Sequence, residues 1–144
     1  MKKTLSLILV CALVLISLAS CVQTHDGTVT VVIGTETPEE YKLEFKADQI
    51  ENGLLSVLDL LEIEYDEAGG FLNGVGELRP TPPEYLYIYT SVAEDMDVST
   101  WATSMEYNGT TLGSAGVGAN QLHITDGAII YIGTIVYPTQ RSDF

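Results

Sequence analysis

Basic side chains are scarce in this sequence: six lysines and arginines stand against 20 aspartates and glutamates. Lys2 and Lys3 lie at the extreme N-terminus, and Lys42, Lys46, Arg79 and Arg141 are scattered. No basic patch exists to neutralise phosphates, so nucleic acid is excluded as a partner. The same acidity disfavours docking flat on anionic lipid. Histidine is as rare, with His25 and His123 alone. No zinc-type His/Cys spacing occurs, so no metal and no cofactor is expected. Cysteine is limited to Cys11 and Cys21. The longest apolar run, residues 5–18, is too short for a comfortable bilayer span.

What is present at the N-terminus reads as an export signal. Two lysines precede the apolar run, and Leu18-Ala19-Ser20-Cys21 supplies a small-residue cleavage site ending on cysteine. This string resembles the bacterial lipoprotein signal. The resemblance implies loss of residues 1–20 and a diacylglycerol on the Cys21 sulfur. Ordinary secretion and an uncleaved anchor are the alternatives, and both also leave the domain outside the cytoplasm. One acyl chain binds a membrane only marginally, so a stable anchor carries more than one. Cys11 departs with the signal, and no internal disulfide can form. The remaining chain, about 120 residues, must rest on its apolar core and is long enough to do so. It keeps four basic side chains against 20 acidic ones.

Residues 21–27 read as a tether and residues 28–144 as one domain. Residues 28–33 are β-branched and predict a strand. Residues 34–40 contain Pro38 and predict a turn. In residues 41–46, Tyr41, Leu43 and Phe45 alternate with Lys42, Glu44 and Lys46, which predicts a half-buried strand and a hairpin with the first. Leu54, Leu55, Val57, Leu58, Leu60 and Leu61 then recur at helical spacing. Asp48 with Glu51 is one candidate cap and Asn52 the other. Residues 62–70 read as an acidic connection and residues 71–78 as a short strand or irregular edge. Three prolines in residues 79–83 exclude a central strand there. Residues 84–92 alternate, with Tyr85, Tyr87 and Tyr89 on one side and Leu86, Ile88 and Thr90 on the other.

Residues 93–100 read as an acidic loop and residues 101–107 as a strand before an Asn108-Gly109 turn. Residues 111–120 are small and Gly-rich and predict a surface loop. Residues 122–124 pair briefly at most. Asp126-Gly127 marks a turn, and residues 128–137 form the most apolar strand. The expected fold class is α+β: a mixed sheet with one short helix packed across it. A right-handed connection is expected from the second strand through the helix to a parallel partner.

This order resembles the β-grasp domain at the C-terminal end of transcobalamin and intrinsic factor, also found in bacterial surface proteins. The opening strand at residues 29–33 carries the likeness. So do Gly53-Leu54-Leu55-Ser56-Val57-Leu58 and Gly70-Phe71-Leu72-Asn73-Gly74-Val75-Gly76. Met105-Glu106-Tyr107-Asn108-Gly109 and Ile124-Thr125-Asp126-Gly127-Ala128-Ile129-Ile130-Tyr131 complete it. Ala128 departs from the family, which often has an acidic residue there. The stretch between the Tyr-rich strand and Asn108 is also longer than the family's. The resemblance implies a β-grasp-like domain that binds or displays, with a corrinoid as one ligand class. The chain has no room for the helical barrel that holds cobalamin in those relatives.

Tyr85, Tyr87, Tyr89, Trp101 and Tyr107 are the candidate ligand-binding side chains, because aromatic rings give large contact area with polar tips. Asn108 belongs to the adjoining turn, and Gly116 and Gly118 would let backbone approach a ligand closely. The loop lacks the Gly-Lys-Ser/Thr ending of a phosphate loop. Asp95, Asp97 and Ser99 have the spacing of calcium ligands, but Thr100 occupies the position that needs glycine. A Ser-His-Asp arrangement would have to use His123, with Asp126 nearby, and no nucleophile elbow is present. The reading is therefore a lipid-anchored, extracytoplasmic, non-catalytic binding module for a small organic ligand. The alternative is a module that recognises a protein or a cell-surface polymer.

Overall fold

The computed structural model describes residues 25–136. The segment read as a signal peptide, Cys21 with most of the expected tether, and residues 137–144 lie outside the described residues.

The β-branched opening run forms β1 (Gly27–Ile33), and the alternating run forms β2 (Glu39–Phe45). They pair antiparallel, with Val29 opposite Leu43. The next residues, Ala47–Gln49, make a separate 3-10 turn, closed by the Gln49 Oε1 that accepts the Lys46 N–H at 3.0 Å. This replaces the Asp48–Glu51 capping box. The helix α1 (Gly53–Leu60) starts after Asn52. Its first residue, Gly53, has φ +55°, and a Cβ there would meet the Leu122 and Ala119 carbonyl oxygens at 2.7 and 2.8 Å. Leu54, Leu55, Val57 and Leu58 are buried, whereas Leu60 is exposed.

The helix ends in a Schellman arrangement. Glu62 takes φ +56°, and the Ile63 N–H reaches the Leu58 carbonyl at 3.0 Å. The acidic connection after it contains β3 (Tyr65–Ala68), which hairpins with β4 (Phe71–Val75) in a separate two-stranded sheet. The sequence reading missed β3, because Asp66 and Glu67 make it almost wholly exposed and leave no apolar alternation.

The remaining strands are β5 (Glu84–Thr90), β6 (Ser104–Tyr107), β7 (Thr110–Ser114) and β8 (Ile129–Val136). The main sheet runs β2-β1-β8-β5-β7-β6. Among the described residues the architecture is α+β, a mixed sheet with one α-helix. Among the described residues the parallel pair is β1 with β8, their first and last strands. This corrects the expected crossover from β2, whose following strand lies in the small hairpin instead.

Two faces result. Val29, Val31, Ile33, Ile130 and Ile132 meet Leu54, Val57 and Leu58 of α1 in one aliphatic core, with Leu86 and Ile88 packed against it. Each such side chain contributes roughly 1.5–3 kcal/mol by leaving water. Val32, Tyr131, Tyr87 and Tyr89 project from the opposite face, by strand alternation and register.

Residues 111–120 are not a surface loop. Their first part is β7, and Leu112, Gly113, Ser114 and Ala119 are buried. Small residues are needed because segments converge there: a Cβ on Gly113 would meet Met96 at 2.7 Å. The strand expected over residues 101–107 is shorter and starts at Ser104, and residues 122–124 join no strand.

Candidate functional site

The Asn108-Gly109 pair forms the β6–β7 turn with φ +47° and +80°, as a tight hairpin requires. β7 pairs with β5 only at Tyr89 and Thr90. The hairpin then bends across the tyrosine face. Its Tyr107 ring lies 5.8 Å from that of Tyr131 on β8. The Tyr107 hydroxyl donates to Glu40 Oε2 on β2 at 2.6 Å, although β6 and β2 are at opposite ends of the strand order. The Glu40 carboxylate, through this bond first, holds the Tyr107 hydroxyl above its usual pKa. Beneath the hairpin, Val32 and Leu112 are fully buried.

Tyr87, Tyr89 and Tyr107 are therefore partly buried by their neighbours, whereas Tyr85 is exposed. Tyr87 and Tyr89 are half-buried, with ring centroids 5.2 Å apart and planes inclined by 58°. That tilt is a packing geometry between neighbours, unlike the coplanar array a flat ligand would stack on. The Tyr89 hydroxyl also accepts from Thr103 Oγ1 at 3.3 Å. Trp101 sits in the turn before β6 and is 85% exposed, with Val98 of the same loop at 97%.

Because β7 leaves β5 early, the far part of β5 has no strand paired on that side among the described residues. Ala115 still donates to the Ile88 carbonyl at 2.8 Å. Beyond it, two adjoining clefts open between β5 and β4. The smaller, about 170 Å³, lies among Gly70, Leu72, Leu86, Tyr87, Val117 and Gly118. The larger, about 420 Å³, lies among Phe71, Pro80, Pro82, Glu84, Tyr85 and Leu86. Phe71, Leu72 and Leu86 border both. Phe71 is 75% exposed, an unusual position for a phenylalanine on a strand.

Of the eight sequence candidates, Tyr85, Tyr87 and Gly118 line these clefts. Tyr89, Tyr107 and Asn108 build the hairpin face, and Trp101 stands apart on its loop. Gly116 is structural: its N–H bonds the Asp95 carbonyl at 2.8 Å, and a Cβ would press on the Asp97 backbone at 3.1 Å. Phe71 was visible in the Gly-rich stretch, but its exposure could be known only from the packing.

The other polar centre is Asp95, which is 2% exposed. Its carboxylate accepts the His123 N–H at 2.6 Å and faces His123 Nδ1 at 2.7 Å. This bond and the attraction of the carboxylate raise the His123 pKa above its ordinary 6.5. Nothing in the sequence pairs residues 28 apart in this way. Asp126, the neighbour expected for His123, instead accepts the Thr28 N–H at 2.9 Å. The calcium spacing is also spoken for. Asp95 is committed to His123, and Asp97 accepts the Ser99 N–H and hydroxyl, which hold its carboxyl below the usual range. Among the described residues no three His, Cys, Asp or Glu side chains converge to hold a metal ion. No helix among them is long and apolar enough to cross a membrane.

No family model matches the chain, and no curated protein does. A solved structure from Ruminococcus gnavus ATCC 29149, named a "putative metal binding protein", is similar in fold. The two share 16% identity over 79% of this chain and 99% of the other, with a TM-score of 0.50.

Proposed function

We propose that this chain is a lipid-anchored, extracytoplasmic, non-catalytic binding module on a β-grasp fold, with its site in the clefts beside β5. The parallel pairing of first and last strands, with α1 across one face, supports the β-grasp reading. The Leu-Ala-Ser-Cys string supports the anchor at Cys21. The observation that carries the site is exposed Phe71 at the junction of two apolar clefts. The larger falls within the size range of small-molecule sites, about 300–1,000 Å³. It suits a small organic ligand with an apolar ring. A corrinoid would enter with one edge only. The metal in the Ruminococcus protein's name finds no ligand set here among the described residues.

A second reading, recognition of a protein or surface polymer, is favoured by the Val98–Trp101 loop. It presents two large apolar side chains to solvent without a cleft.

Calorimetric titration of the detergent-solubilised full-length protein with corrinoids and smaller ring compounds tests the site. Heat with one of them, abolished by Phe71→Ala, is expected. Binding that survives Phe71→Ala and is lost in Trp101→Ala would move the site to the loop. Intact-mass analysis of the N-terminal peptide tests the anchor, and an unmodified Cys21 would remove it.

A further inference from the structure

Strand β2 forms one end of the main sheet, and β1 is its hydrogen-bonded partner among the described residues. An open edge invites pairing with another strand, and charged side chains commonly guard it. The charges on β2 guard it selectively. Residues 40–46 read Glu-Tyr-Lys-Leu-Glu-Phe-Lys. Reversed about Leu43, every glutamate meets a lysine: Glu40 with Lys46, Lys42 with Glu44. Tyr41 meets Phe45, and Leu43 meets itself.

We propose that β2 is a self-recognition edge that pairs antiparallel with β2 of a second copy, with the two-fold axis at Leu43. Directly opposite residues of an antiparallel pair share a face. Glu40, Lys42 and Glu44 are exposed on the tyrosine side of the sheet, Glu40 with its Oε2 accepting the Tyr107 hydroxyl; Lys46 lies one residue past β2, still extended at φ −98° and ψ 148°, with its N–H held by Gln49 Oε1. The two-fold therefore brings four opposite-charge pairs together on that side. Half-buried Tyr41 and Leu43 and buried Phe45 meet on the helix side. The result is a continuous twelve-stranded sheet with both helices on one side.

Neighbouring registers are rejected by the same charges. An axis at Lys42 sets Lys42 against its own copy and Glu40 against Glu44. An axis at Glu44 sets glutamate against glutamate. An axis at Tyr41 keeps only two favourable pairs. In the single chain Lys42 Nζ is 3.7 Å from Glu40 Oε1, with the lysine side chain 70% exposed. That weak contact leaves Lys42 free to swing to a partner.

Sedimentation of the full-length protein in mild detergent at low ionic strength tests the proposal. A concentration-dependent dimer that weakens with added salt is expected. Lys42→Glu sets like charges opposite at two symmetric places and should raise the dimer Kd by about tenfold or more. The double variant Lys42→Glu with Glu44→Lys keeps the net charge and restores the pairing, so its Kd should return to within about threefold of the parent. With a mild oxidant added to take up the two electrons, Leu43→Cys should form a disulfide across the axis, since opposite Cα atoms lie about 4.5–5.5 Å apart. Circular dichroism confirms that each variant is folded. A monomer at about 100 μM, or a dimer indifferent to Lys42→Glu, would overturn the proposal. So would a double variant as weak as the single one.

Discussion

The two faces of the main sheet are held in different ways. On the helix side a continuous aliphatic core joins β1, β8 and α1, with Val29, Val31, Leu54, Val57 and Leu58 fully buried. On the tyrosine side Val32 and Leu112 are the fully buried aliphatics, and the hairpin above them is secured by ring contacts and the Tyr107–Glu40 bond. Area removed from water stabilises the first face. The second relies more on hydroxyl bonds, whose net worth is small because water competes for the same groups. The β6–β7 hairpin is therefore expected to open more readily than the rest of the sheet.

Leu58→Ala probes the helix side and should cost about 3 kcal/mol in chemical unfolding, from lost burial and a residual cavity. Leu112→Ala should cost less, about 2 kcal/mol, since part of the hairpin can collapse into the space. Its loss of amide protection should be confined to β6 and β7. Equal costs with uniform loss of protection would mean that both faces unfold as one unit. Tyr107→Phe removes only the hydroxyl and should destabilise less than either leucine variant, again with faster exchange in the hairpin alone.

The smallest effect concerns the loops. His123 has a raised pKa in the folded chain, so the pairing with Asp95 stabilises fully below its unfolded pKa of about 6.5. That contribution fades as pH rises through the folded value. The His123 side chain is 63% exposed, and solvent screens the pair. Thermal unfolding followed from pH 6 to 9 should therefore show a shallow decline that His123→Gln removes. The same decline in the variant would assign it to other groups.

Much of the helix side was legible from the sequence. Its strands alternate or run apolar, and its helix repeats at 3.6 residues, so local pattern and burial agree. The Asn108-Gly109 turn was legible for the same reason: few residue pairs accept both positive φ values. The tyrosine side and the clefts were not. Tyr87 and Tyr89 look alike whether they face a ligand or a hairpin. The Gly-rich stretch looks like a loop whether it is exposed or pressed against Met96. Asp95 and His123 carry no pattern linking them.

By itself the sequence determined the β1–β2 hairpin, the helix, the Asn108-Gly109 turn and the last strand, the acidity, and the charge alternation written into β2. Those follow from side-chain chemistry and short-range periodicity, which act within a few residues. Tertiary structure alone decided that the hairpin covers the tyrosines, that Phe71 stands at the clefts, and that Asp95 is buried beneath His123. Each depends on segments distant in the chain meeting in space, and the cost of burying polar groups is settled only there.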